Sequence, residues 1–140
     1  MKIIAIGKNK KKFVNEGIQF YQKQISKLEI IELKQSNPTE EGKLILKSLK
    51  SDDYVILLDV SSKTINSIEF ARLLADIKNK TSQIVFLIGG SKGFSEEVKQ
   101  IADQKISFSK MTFPHELFRL ILVEQIYRAE SINNNSPYHK

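Results

Sequence analysis

The residue types able to do acid–base chemistry, or to hold an anion in a fork, are concentrated at one end of the chain. Both histidines (His115, His139), two of the three arginines (Arg119, Arg128) and two of the three prolines (Pro114, Pro137) fall between Ile106 and Lys140. Histidine ordinarily titrates near neutrality, and arginine presents planar donors that match a carboxylate or phosphate. Chemistry is therefore expected from this last third. It closes with a polar tail, Asn133-Asn134-Asn135-Ser136-Pro137-Tyr138-His139-Lys140, which reads either as a disordered end or as a segment that folds over a site.

Other chemistries are set aside by composition. The sequence has no cysteine, so disulfides and thiolate metal sites are excluded, and a cytoplasmic location is expected. Its two histidines are far apart and stand in no H-E-x-x-H or H-x-x-E spacing, so no metal is expected. The net charge is +6, the pI is about 9.4, and lysines cluster at Lys8, Lys10, Lys11 and Lys12. That balance favours a polyanionic partner, nucleic acid before a membrane surface, since no strongly amphipathic basic helix accompanies it. No apolar run approaches the roughly 20 residues of a membrane span. The opening M-K-I-I-A-I-G-K is too short an apolar run for a signal peptide and reads as a strand.

The elements that must position these residues alternate. Ile3 to Ile6 predicts a buried strand ended by Gly7, and Phe13 to Ile25 has helical spacing. Leu28 to Leu33 reads as the second strand, and Asn37, Pro38 and Thr39 open a helix through Leu49. Asp53 to Asp59 and Ile84 to Ile88 are continuous apolar runs, as central parallel strands are. A helix from Ser67 through Ile77 lies between them, and another is expected from Ser95 to Ala102. Lys105 to Phe108 predicts the last strand, and Pro114 the first residue of a final helix reaching about Ser131, with Thr112 as its cap. The sum is one domain over residues 1–140, an α/β fold of three layers around a mostly parallel sheet.

Three strand ends then become candidates for one crevice. Gly89-Gly90-Ser91-Lys92-Gly93 follows a buried strand and precedes a helix, where open α/β sheets bind ligands. Its spacing is neither G-x-G-x-x-G nor a Walker A loop. Together with the ends near Leu58 and Phe108 it forms an apolar, amide-rich edge, suited to an adenine, a ribose or a sulfonium rather than a polyphosphate. The final helix has apolar residues over more than half its circumference, so one face is expected to meet its own sheet and another a second subunit.

Specific motifs sharpen this reading. L-L-D-x-x-x-K-x-x-x-S-x-E-F-A at Leu57 to Ala71, F-L-I-G-G-S-K-G at Phe86 to Gly93, and S-F-S-K-M-T-F-P-H-E-L-F-R at Ser107 to Arg119 occur in order. E-Q-I-Y-R-A at Glu124 to Ala129 and the terminal P-Y-H-K follow. Over its whole length the chain resembles the ribosomal RNA large subunit methyltransferase H family, of the SPOUT superfamily. The resemblance implies a C-terminal α/β knot, and methyl transfer from S-adenosylmethionine to N3 of a pseudouridine in 23S ribosomal RNA, within the ribosome. It also implies a homodimer in which the partner completes each cofactor pocket.

Carried onto matching positions, the resemblance assigns cofactor contacts to Leu58, Gly89, Phe108, Ser109, Lys110, Met111, Thr112 and Phe113. The catalytic candidates are His139 as general base, Tyr138 to orient it or stack on the base, and Arg128 to bind a phosphate or base carbonyl. His115 is the rival base, and Arg119 is expected to bind phosphate or to pair with Glu124 or Glu116. The chain departs from the family where Val60-Ser61 stand in place of the Arg-Gly that many members carry, and its N-terminal half is shorter than in longer relatives. The competing class is a non-catalytic RNA- or ribosome-binding module, for which charge alone would suffice.

Overall fold

The computed structural model describes residues 1–81 and 83–140. Five strands, β1 (Lys2–Ile6), β2 (Glu29–Leu33), β3 (Tyr54–Leu58), β4 (Ile84–Ile88) and β5 (Gln104–Ile106), form one sheet in the order β2-β1-β4-β3-β5. Every pairing is parallel, so the sheet is wholly rather than mostly parallel. All strand carboxyl ends consequently lie along one edge. The register aligns Leu58 with Ile88 and with Ile106, which brings the ends of β3, β4 and β5 side by side.

Helices α1 (Lys12–Gln22), α3 (Ser67–Lys78) and α5 (His115–Asn133) cover one face of the sheet, with Phe70, Phe86, Leu122 and Ile126 fully buried between the layers. The other face carries α2 (Pro38–Ser48) and α4 (Glu96–Ile101) over Ile4, Leu57, Val85 and Leu87. The double covering explains why β1 and β4 are buried at every position. Each buried Ile, Leu, Val or Phe among them contributes about 1.5–3 kcal/mol by leaving water. Lys2 opens β1 at the one-tenth exposure level without breaking the pattern, because its stem can lie along apolar surface.

Local chemistry sets the helix starts. Asn37 accepts the Glu40 N–H at 2.9 Å with Pro38 in the first turn, and Asn66 and Glu69 form a reciprocal capping box. Ser95 caps α4. The last helix departs from expectation: Pro114 is itself the cap residue, no side chain caps that end, and Thr112 does not serve as one. Helix α5 runs two residues past Ser131, α1 stops at Gln22 rather than Ile25, and β5 ends at Ile106, before Phe108. Releasing Ser107 and Phe108 from the strand frees them for a loop.

Helix α5 sits between α1 and α3, and this uses much of the apolar surface that seemed in excess. Leu122, Val123 and Ile126 are buried against the sheet layer. Leu117 remains 36% exposed and Ile121 half-buried, so a narrower stripe is left toward solvent. The tail is tied down: Tyr138 donates to Glu124 at 2.9 Å, and its ring meets Tyr127 edge-on at 4.7 Å between centroids. The disordered reading of residues 133–140 is therefore replaced by a tail folded back on α5 and α1.

Candidate active site

A cavity of about 380 Å³ opens at the carboxyl edge of the sheet, between the ends of β3, β4 and β5. Its size falls within the range of small-molecule sites. Leu58, Ile88, Ile106 and Phe118 give apolar walls, and the rest is largely loop backbone and hydroxyls. Of the eight expected cofactor residues, seven line it: Leu58, Gly89, Phe108, Ser109, Met111, Thr112 and Phe113. Lys110 is exposed and is not among the lining residues.

The loop after β5 is shaped by its serines. The Ser107 hydroxyl donates to the Ser109 carbonyl at 2.7 Å, and Ser109 Oγ accepts the Met111 N–H at 3.0 Å. The Ser107 backbone bonds Lys63 and Ile65 of the loop after β3, which ties the two rims together. Below them Phe70, Phe108, Phe118 and Phe113 form a continuous aromatic row, the last two nearly parallel at 6.1 Å. Val60 and Ser61, standing at the family's Arg-Gly position, line the cavity rim; Asp59 turns on itself there, accepting the Ser61 hydroxyl at 2.8 Å. No arginine reaches this rim among the described residues.

The glycines of the β4 turn are required by close approach. A Cβ on Gly89 would meet the Phe94 ring at 3.1 Å, and one on Gly90 would stand 2.9 Å from a Glu41 carboxylate oxygen. Glu41 is only 4% exposed and accepts the Ser36 N–H at 2.8 Å. Phe94 and Glu41 thus back the turn from below, a support that sequence reasoning did not identify. Only Phe94, directly following the G-G-S-K-G stretch, left a local signal.

The catalytic candidates stand elsewhere within one chain. Arg128, Tyr138 and His139 gather at the far end of α5 around Glu124. Arg128 Nε donates to Glu124 Oε1 at 3.0 Å, and its guanidinium lies 4.8 Å from the centre of the Tyr138 ring. Glu124 holds the arginine above its ordinary pKa. Burial, with Tyr21 and Glu124 next in weight, pushes the Tyr138 phenol well above its usual range, so it is a neutral donor near pH 7. Arg128 Nη1 lies 3.1 Å from His139 Nδ1. Arginine has no acceptor, so Nδ1 accepts and the neutral ring carries its proton on Nε2.

Thirteen positions of α5 separate His115, which lines the cavity, from Arg128, an axial span of about 20 Å. In one chain it is the rival histidine, His115, that reaches the pocket. Arg119 takes neither expected role. It is 2% exposed, pairs with Glu32, and donates to the Gly7 carbonyl at 3.0 Å, while Glu124 serves Arg128 and Glu116 accepts the Lys10 N–H. The reason is depth: Arg119 is buried against the carboxyl ends of β1 and β2, where the Glu32 carboxylate and the Gly7 carbonyl take its guanidinium.

No group of metal-ligating side chains occurs among the described residues, and no helix is long and apolar enough to cross a membrane. A family model described as "Predicted SPOUT methyltransferase" matches residues 1–139. Proteins named Ribosomal RNA large subunit methyltransferase H are similar over nearly their whole lengths. That of Acholeplasma laidlawii is 46% identical, covering 100% of this chain and 99% of its own. That of Clostridioides difficile is 44% identical (99% and 98%), and that of Synechococcus sp. 42% (99% and 95%). A parallel α/β sheet with a ligand-sized cavity at its strand ends, matched from end to end in this way, leaves no room for a mere binding module: the chain belongs to the SPOUT methyltransferase family.

Proposed function

We propose that the protein is a homodimer that methylates N3 of a pseudouridine in 23S ribosomal RNA within the ribosome, using S-adenosylmethionine. The observation that carries the reading is the cavity, whose lining coincides with seven residues assigned on independent grounds. Its chemistry fits the cofactor. Leu58, Ile88 and Ile106 offer an apolar slot for a purine, and the Phe108 to Phe113 loop offers backbone groups for its polar edge. Gly89 and Gly90 let the turn seat closely on Phe94 and Glu41, which sets where the wall of the cavity stands. When bound, the cofactor supplies an electrophilic sulfonium methyl group.

The chain's own residues must then orient the nucleotide and receive a proton. Alignment alone can supply much of the acceleration, and a base tuned near neutrality about 10²- to 10⁴-fold more. The separation of the two groups along α5 supports a dimer. If two α5 helices pack antiparallel, position 115 of one faces position 128 of the other when the two-fold axis lies midway, between Ile121 and Leu122. Ile121 and Leu117 form the partly exposed apolar stripe at that place. Arg128, Tyr138 and His139 then serve the cavity of the second copy, and the segment from Phe108 onward is the threaded part of the superfamily's knot.

In this arrangement Arg128 is also a gate on His139. While the guanidinium occupies Nδ1, the ring has no free acceptor nitrogen. A substrate phosphate or base carbonyl that draws Arg128 away frees that nitrogen to take the N3 proton, and Tyr138 stays a donor throughout. Removing Tyr138, His139 and Lys140 tests the assignment. The truncated protein should bind S-adenosylmethionine with little change yet methylate ribosomes at least about 100-fold more slowly. Unchanged turnover would remove the tail from the mechanism. Mass mapping of ribosomal RNA from cells with and without the protein identifies the modified base.

A further inference from the structure

The exposed lysines at Lys8, Lys10, Lys11 and Lys12 are not part of the cavity, yet the loop that carries them is fixed with unusual thoroughness. It leaves β1 at the carboxyl edge of the sheet, beside β4 and on the same side as the cavity. Gly7 takes a positive φ of 89° and bonds both ways, its N–H to the Leu33 carbonyl at 2.8 Å and its carbonyl to Arg119 at 3.0 Å. The Asn9 N–H donates to Glu32 at 2.6 Å, and the Lys10 N–H to Glu116 at 3.2 Å. Asn9 is itself buried, bonding Asn15 at 2.8 Å and accepting the Lys11 N–H.

One of these anchors is costly. Arg119 is a buried guanidinium, and its Nε has no partner. Burying such a charge is unfavourable unless its pairing is good, so the fold spends stability on where this loop stands. The lysine heads themselves are left in water. Among the described residues their one ion pair is Lys12 with Glu16 at 3.8 Å, both side chains highly exposed, which is worth little. A pinned backbone that carries four exposed ammonium groups, one of them only weakly paired, is pre-organised for an extended polyanion. Glu116 also ties it directly to the first turn of α5, one residue from His115 of the cavity lining.

We infer that Lys8 to Lys12 is a phosphate-gripping edge, and that it holds the RNA backbone beside the cavity while the target base enters. The inference rests on the proposed RNA substrate and assigns a backbone-binding role to residues outside the cofactor site. Arg119, Glu32 and Glu116 are its positioning residues. The contacts are sequence-independent, so they should set affinity and its salt dependence rather than the choice of base.

The test replaces Lys8, Lys10, Lys11 and Lys12 by Gln together and measures binding to purified ribosomes lacking the methyl group, over a salt titration. A control replaces four exposed lysines from other parts of the surface, Lys23, Lys47, Lys50 and Lys80, by Gln, with the same change of charge. The loop variant should lose at least about tenfold in affinity, and its slope of log affinity against log salt should flatten by roughly one unit per lost phosphate contact. Affinity for S-adenosylmethionine should be unchanged, and the control should lose less than about threefold. Equal losses in the two variants, or an unchanged slope, would overturn the inference, as would a loss seen only on anionic lipid vesicles. Wild-type protein that binds ribosomes no better than vesicles would instead bring down the RNA reading itself, so the two failures are distinguishable.

Discussion

The two ends of α5 each carry an arginine paired with a glutamate, and the pairs do opposite work. At the first, Arg119 is sealed from water, locked to Glu32 and to the Gly7 carbonyl, and faces only its own fold. At the second, Arg128 is partly exposed and shared among the largely buried Glu124 and the Tyr138 ring and His139 of the tail. The first arrangement has one state, because displacing it leaves buried charges unpaired. The second is only partly closed to water, which can reach the guanidinium and replace a contact there. The proposed substrate role of Arg128 draws on that access to water, whereas Arg119 is a structural bolt.

The sharpest way to break this comparison is to replace each arginine with methionine and measure urea unfolding. Arg119→Met should destabilise by about 2–3 kcal/mol, since Arg119 is fully buried and its loss leaves the Gly7 carbonyl without that donor, while the third-exposed Glu32 keeps the Asn9 N–H. Arg128→Met should cost less, about 1 kcal/mol, since a quarter of the Arg128 side chain is in water and Tyr138 still donates to Glu124, while lowering methylation. Similar losses of stability at both positions would erase the distinction.

A middle-sized effect belongs to the cavity beside the first end. Gly90→Ala places a methyl group 2.9 Å from the carboxylate of buried Glu41, which has little room to yield. A loss of about 1–3 kcal/mol is expected by overpacking, together with weaker S-adenosylmethionine binding by calorimetry. Unaltered binding would mean that the turn is not a cofactor wall.

The smallest effect concerns the second end and pH. Because the Tyr138 phenol is raised above its ordinary value near 10, its protonated form is favoured in the fold. The stability this contributes is complete below about pH 10 and fades as pH climbs through the raised value. Between pH 6 and 9 Tyr138 therefore does not titrate, and Tyr138→Phe should lower the methylation rate without moving any inflection of its pH profile. A shifted inflection would make the phenol a proton carrier and not an orienting donor.

Much of the fold could be read before any coordinates. Apolar runs such as Val55 to Leu58 and Ile84 to Ile88 have no polar face to show water, as expected of short, β-branched central parallel strands, and Asn37, Asn66 and Ser95 cap helix starts through their own hydrogen bonds. The strand ends at Leu58, Gly89 and Phe108 followed from the same logic, since parallel strands must finish on one edge. The end of β5 was misjudged because Ser107 and Phe108 suit a strand locally, whereas Ser107 spends its hydrogen bonds on the loops around it.

What sequence determined by itself is the periodic part: a covered parallel sheet, the edge that carries the cavity, and the residues at strand ends, all consequences of local hydrophobic spacing. Tertiary structure alone decided the partners of the charged groups. Glu32 and Arg119 are 87 positions apart, and Tyr138 meets Tyr21 across 117. Nothing in local spacing encodes such pairings, because they depend on how deep the packed helices set each side chain and on which opposite charge the sheet edge has left unpaired.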